Sequence, residues 1–177
     1  MEKDQIFQLK NILKEFEKEE IFEDILNYLN ILLKWNRSVN LISKNDEKII
    51  IERHLKDSLV ALKIVQKDIY KSIIDIGSGN GFPAIPLSIV LKEKIFTLVE
   101  IKEKKFYFLK DVKESLKLKN IILKNDDVKK IDFSPFDLVL SRAFLNEKDI
   151  KEFLKKKNYK GDIVYWEKIY QPVILKI

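Results

Sequence analysis

A chain of 177 residues, 46% hydrophobic and 35% charged, is long enough for a full core and too apolar to stay disordered. It has no cysteine, which excludes disulfides and thiolate metal sites. The net charge of +6 permits an anionic partner without requiring one.

The opening residues, MEKDQIFQLK, lack the basic-then-apolar layout of a secretory signal. No apolar run approaches the ~20 residues of a membrane span. A cytoplasmic protein with neither membrane nor metal partner is expected. Residues 1–70 read as a helical extension. Ile6, Leu9, Leu13 and Phe16 fall on one helical stripe, and Phe22, Ile25, Leu29, Leu32 and Leu33 on a second. The polar stretch NRSVNLISKND predicts a loop whose Asn36, Arg37 and Asn40 are candidate RNA contacts. The spacing of Ile51, Leu55, Leu59 and Leu62 predicts one further helix. In it His54, Asp57 and Ser58 share a face. A lone histidine of this kind is more often packed wall than catalyst.

From Lys71 the rhythm changes. The runs SIIDI, IFTLVE, NIILK, FDLVLS and DIVYWE predict strands. Helices are expected between them from Pro83, over about 104–116 and over about 147–157. This alternation predicts an α/β core over 71–177, a mostly parallel sheet covered on both faces, with 1–70 packed beside it in a single domain.

The stretch IIDIGSGNGFPAIPL places Gly77, Gly79 and Gly81 between the first strand and its helix. Open α/β sheets bind ligands at such a turn, where glycines bring backbone close to the ligand. A dinucleotide fingerprint, G-x-G-x-x-G, needs glycine where this chain has Phe82, and Pro83 removes one N–H that a pyrophosphate would use. Glu100, at the end of the second strand, can accept from both hydroxyls of a ribose. A ribose site without a phosphate cradle points to S-adenosyl-L-methionine rather than a nicotinamide. Asp75, below the turn, either meets a cationic ligand group or holds loop amides. Arginine occurs only at 37, 53 and 142. Arg142, after the fourth strand, has a planar fork suited to guanine O6, a phosphate or a carboxylate.

With WNRSVNLIS, RHLKDSL and FDLVLSRAF in the same order around DIGSGNGFPAIPL, the stretch from about Trp35 to Phe144 resembles the RsmG/GidB family, the bacterial 16S ribosomal RNA guanine-N7 methyltransferases. The resemblance implies a class I, Rossmann-like S-adenosylmethionine-dependent methyltransferase acting on 16S rRNA of the small ribosomal subunit, as a monomer. It implies cofactor contacts at Gly77, Phe82 and Glu100, at the backbone of Val128 and Lys129, and at Arg142, with Asp75, Gly79 and Gly81 beside them. Arg142 is then a positioning group for catalysis, with no general base. Two departures stand out: Asp127 where many members carry arginine, and a short C-terminus that predicts an abbreviated end to the sheet. A methyltransferase with a non-RNA substrate, or a binding module without turnover, are the alternatives.

Overall fold

The computed structural model describes residues 1–142 and 144–176. Ala143 of the S-R-A-F motif and Ile177 lie outside the described residues, and Glu167 is described only as part of its strand. In chain order come helices α1 (Lys3–Glu15), α2 (Phe22–Asn36), α3 (Lys44–Lys48), α4 (Asp57–Val60) and α5 (Leu62–Val65). The core follows: β1 (Ser72–Ile76), α6 (Ala84–Val90), β2 (Ile95–Val99), α7 (Glu103–Ser115), β3 (Ile121–Lys124), β4 (Leu138–Ser141), α8 (Glu147–Lys156), β5 (Asp162–Lys168) and β6 (Gln171–Lys176).

The strands form one sheet in the order β3-β2-β1-β4-β5-β6, parallel except for the β5–β6 hairpin. Side chains alternate across it, as strand geometry requires. Ile73, Phe96, Leu98, Leu138 and Leu140 face the larger core cluster, built with α1, α2, α6 and α7. Ile74, Ile76, Val99, Val139 and Ile163 face a smaller one with Ile150 and Leu154 of α8. The chain leaves β1 toward β2 and β3 and returns on the other side of β1 to form β4. The crevice at the carboxyl ends of β1 and β4 is therefore the topological switch point, where open α/β sheets bind ligands.

Two expectations need correction. The sheet end is not abbreviated to its parallel strands, because β6 folds back antiparallel on β5 with Pro172 on an edge strand, where the missing N–H costs no ladder bond. The stripe from Ile51 to Leu62 is not one helix. It is a π-helical turn over Ile51–Lys56, then α4, a break at Ala61 and α5. The Ser58 hydroxyl donates to the His54 carbonyl at 2.7 Å, competing with the backbone ladder at the junction. The loop after α2 is also tied down from within. Asn36 accepts from Leu41 N (2.6 Å) and Ile42 N (2.9 Å), so its side chain is spent on holding the loop.

Candidate cofactor and substrate cleft

The turn after β1 carries three residues that need the left-handed region: Gly77 at φ +69°, Gly79 at +52° and Gly81 at +87°. They serve different ends. A Cβ on Gly81 would stand 2.7 Å from Ile85 and 3.0 Å from the Tyr28 hydroxyl, so this glycine lets the helical layer close on the loop. A Cβ on Gly77 would meet the Phe144 ring at 2.5 Å, whereas one on Gly79 would meet nothing nearer than 3.6 Å. Gly79 is the open position of the three. The Gly77 and Ser78 amides both donate to the Val99 carbonyl at 3.0 Å, fastening the turn to the end of β2.

Glu100 follows β2, is 5% exposed and is held from both sides. Oε2 accepts from Gly79 N at 2.9 Å and Oε1 from Lys102 N at 2.8 Å. Each oxygen retains a second lone pair. A ribose at this carboxylate would share it with the loop.

Asp75 lies beneath the turn, 2% exposed, with Oδ2 unpartnered among the described residues. The Gly77 and Ser78 amides go to Val99 and the Gly79 amide to Glu100 instead. Burial lifts its pKa from 3.8 to about 7; Ser78 and Arg142 pull it down, and Glu100 adds to the rise. Between these two values the folded protein binds a proton that the unfolded chain lacks, so stability falls as pH rises through the window from about 4 to 7. Asp75→Asn is expected to flatten that slope. In thermal unfolding the gain of the variant over the wild type should be larger at pH 8 than at pH 5. Identical pH dependence in the two proteins would show that Asp75 is ionised in the fold.

A cavity of 450 Å³ opens at the switch point. Gly77, Ser78, Gly79 and Phe82 line it from the turn, and His54, Asp57 and Arg142 line it opposite. Tyr165, Trp166 and Lys168 come from the hairpin strand. Arg142, with its side chain 14% exposed, donates through Nε to Asp57 Oδ2 at 2.9 Å and through Nη2 to the Arg53 carbonyl at 3.2 Å and His54 Nδ1 at 3.0 Å. Phe82 is buried, its ring stacked on His54 at 5.3 Å and edge-on to Tyr28 at 5.2 Å.

Of the residues named from the sequence, Gly77, Gly79, Phe82 and Arg142 share this wall. Glu100 reaches it through Gly79, and Asp75 and Gly81 lie behind the loop. Val128 and Lys129 do not line it. Val128 is packed into the smaller cluster, in a 3-10 turn, and the Lys129 amide donates to Asp127 Oδ1 at 2.9 Å. Asp127 thus caps its own turn. No local pattern marks Asp57 as the partner of Arg142, the hairpin side chains as cavity wall, or Tyr28, whose hydroxyl donates to the Asn80 carbonyl at 2.7 Å. A tyrosine inside the apolar stripe Ile25–Leu29–Leu32 was the one available signal, since a buried hydroxyl must find a partner.

Comparison with known proteins agrees with this architecture. Residues 21–171 match the GidB family, described as rRNA small subunit methyltransferase G. A curated "Ribosomal RNA small subunit methyltransferase G" from Shigella flexneri is 41% identical over 127 residues, covering 71% of this chain and 60% of that protein. One of the same name from Brachyspira hyodysenteriae is 36% identical over 160 residues, covering 90% and 76%. The chain therefore spans only about three-fifths of the Shigella protein. Among solved structures, a SAM-dependent methyltransferase from Aquifex aeolicus superposes with a TM-score of 0.53 at 19% identity, over 69% of this chain and 68% of that one. A mutant of MtNAS in complex with S-adenosylmethionine gives 0.52 at 17% identity, over 89% and 65%. At such identities these two speak for the fold, a class I, Rossmann-like methyltransferase fold. With most of its length matched by the family and by relatives above one-third identity, this chain belongs to the GidB family.

Proposed function

We propose that the chain is an S-adenosylmethionine-dependent methyltransferase that modifies N7 of a guanine in 16S rRNA of the small ribosomal subunit. In this reading the whole chain works as one domain, as a cytoplasmic monomer. The observation that carries the reading is the cavity at the switch point, where the glycine turn and Arg142 face each other in a member of the GidB family.

The residues present fit the cofactor. Gly79 leaves room for close backbone approach and Glu100 offers lone pairs to a ribose diol, while Asp75 stays buried behind the same turn. Val128 and Lys129 would stand toward the adenine, with Lys129 N already committed to Asp127. When bound, S-adenosylmethionine supplies an electrophilic methyl group on a sulfonium.

Guanine N7 has a lone pair and no proton. The sulfonium would supply the methyl group and keep the pair of its broken S–C bond, and N7 would supply the electron pair for the new N–C bond, leaving the positive charge on the purine. No general base is required. What the chain must provide is alignment and exclusion of water, together able to supply about 7–11 kcal/mol of barrier lowering. Arg142 would orient the acceptor. Its pairing with Asp57 means that the arriving positive charge meets a neutral pair rather than a bare cation.

S-adenosylmethionine or its demethylated product is expected to raise the melting temperature, by an amount equivalent to about 2.7 kcal/mol at a hundredfold excess over Kd, and NAD is not. Stabilisation by NAD alone would overturn the cofactor reading. For the substrate, mass spectrometry of small-subunit rRNA from cells lacking the protein should show one 7-methylguanosine missing. Unchanged modification would overturn it.

A further inference from the structure

We propose that His54 is a positioning residue for this transfer: its Nδ1 accepts a hydrogen bond from Arg142 and, together with Asp57, fixes the plane of the guanidinium in the cavity wall. The inference rests on the methyltransferase reading above and adds to it a residue outside the glycine turn and the sheet.

The geometry assigns the protons. Arg142 Nη2 lies 3.0 Å from His54 Nδ1, and a guanidinium can only donate. Nδ1 must therefore carry the lone pair and Nε2 the proton. An imidazolium would offer no acceptor and would set two cations against each other. The ring is held flat by Phe82, stacked at 5.3 Å with 20° between planes. Burial, then Arg142 and Arg53, push His54 down to about 4, with Asp46 opposing, so the ring is neutral at physiological pH. Asp57, held by Nε of the same guanidinium, balances the Arg142 charge.

Three of the five N–H groups of Arg142 are thus committed to the 53–57 segment: Nε–H to Asp57 and the two on Nη2 to His54 and the Arg53 carbonyl. The two on Nη1 have no partner among the described residues. A guanidinium held at three points presents its remaining donors in one direction, and misplacement of a positioned group by about 1 Å can cost a hundredfold in rate. The arrangement also gives a role to a polar ring whose Nε2 is buried with no hydrogen-bond partner among the described residues.

Because the chain has a single histidine, nitrogen-15 NMR reads this ring without assignment. The expected result at pH 7 is the Nε2–H tautomer, with a titration midpoint well below the ordinary histidine value that moves up by at least one unit in Arg142→Met. A wild-type ring protonated on Nδ1, or titrating near 6.5, overturns the proposal. In steady-state transfer to small-subunit particles, His54→Phe keeps the ring stack without the acceptor. It should lower kcat at least tenfold with KM for S-adenosylmethionine within threefold. His54→Asn places a carbonyl oxygen near the Nδ1 position and should restore most of the rate. Wild-type kcat in His54→Phe, or equal loss in both variants, also overturns it. Should His54→Phe fail to fold, the tautomer and the asparagine variant decide. A wild-type protein that transfers no methyl group refutes the proposed function instead, while the NMR arm still settles the His54–Arg142 contact.

Discussion

Arg142→Lys is expected to slow methyl transfer by roughly 30- to 1,000-fold, about 2–4 kcal/mol of transition-state stabilisation, while leaving the fold intact. The residue follows β4 at the switch point, and its guanidinium is the one arginine side chain the sheet half contributes to the cavity. Lysine keeps a positive charge for Asp57, which preserves the ion pair. It loses the planar array that reaches Asp57, His54 and the Arg53 carbonyl together and still leaves Nη1 for a ligand. The side of the fork used for bidentate recognition, Nε with Nη2, is already occupied by the protein. An acceptor would meet Nη1 alone, so the loss reflects misdirection as much as a missing bond. An arginine that served only to neutralise Asp57 would cost under ~1 kcal/mol on such replacement. Single-turnover transfer to small-subunit particles separates the two, and near wild-type rates in the lysine variant would remove Arg142 from the site.

Asp57→Ala is expected to destabilise the fold by about 3–5 kcal/mol, because it leaves a cation in a nearly closed site without its partner. The same carboxylate accepts from Tyr170 N at 2.6 Å, so the hairpin turn loses an anchor as well. Burial raises the pKa of Asp57 against the pull of Arg142 and Tyr170, and lowers that of Arg142 against the pull of Asp57. On both sides desolvation outweighs attraction, and the intact pair adds little net stability. Removing both charges is therefore expected to cost less than removing one. Asp57→Leu combined with Arg142→Met should recover most of the loss seen in Asp57→Ala. Urea unfolding midpoints of the wild type and the two variants test this; a loss below ~1 kcal/mol for Asp57→Ala would show that water reaches the arginine in its place.

The strands and helices from Lys71 onward were legible because each is encoded locally. Five of the runs, from SIIDI to DIVYWE, are β-branched or aromatic and short, and the helices between them repeat at helical spacing. The hairpin strand β6 was not, since QPVILK carries a proline and follows β5 after only two residues. Its place depends on pairing with β5, which no local pattern announces. The same division runs through the site. Gly77, Gly79 and Gly81 could be named because a tight turn at a strand end needs them, and Glu100 because an acid at the end of the second strand suits a ribose. The contacts of Arg142 could not be, since Asp57 is 85 positions away in sequence and its approach depends on how the helical extension docks. Apolar periodicity also hides interruptions. Ile51, Leu55, Leu59 and Leu62 keep a helical rhythm through a π-turn and a break, and that irregular backbone is what presents both His54 and Asp57 to the arginine.

Trp166 stands in the cavity wall, 7% exposed, with its indole N–H donating to the Asp57 carbonyl at 3.3 Å. The chain's other tryptophan, Trp35, donates to Asp111 and does not line the cavity. The cleft thus carries its own optical reporter. Indole emission shifts with local polarity and is quenched by nearby stacking or charge. In a Trp35→Phe background the fluorescence of one ring would follow ligand entry without a label. The same signal, observed during refolding, would mark the moment at which the hairpin strand reaches the helical segment and that wall of the cleft forms.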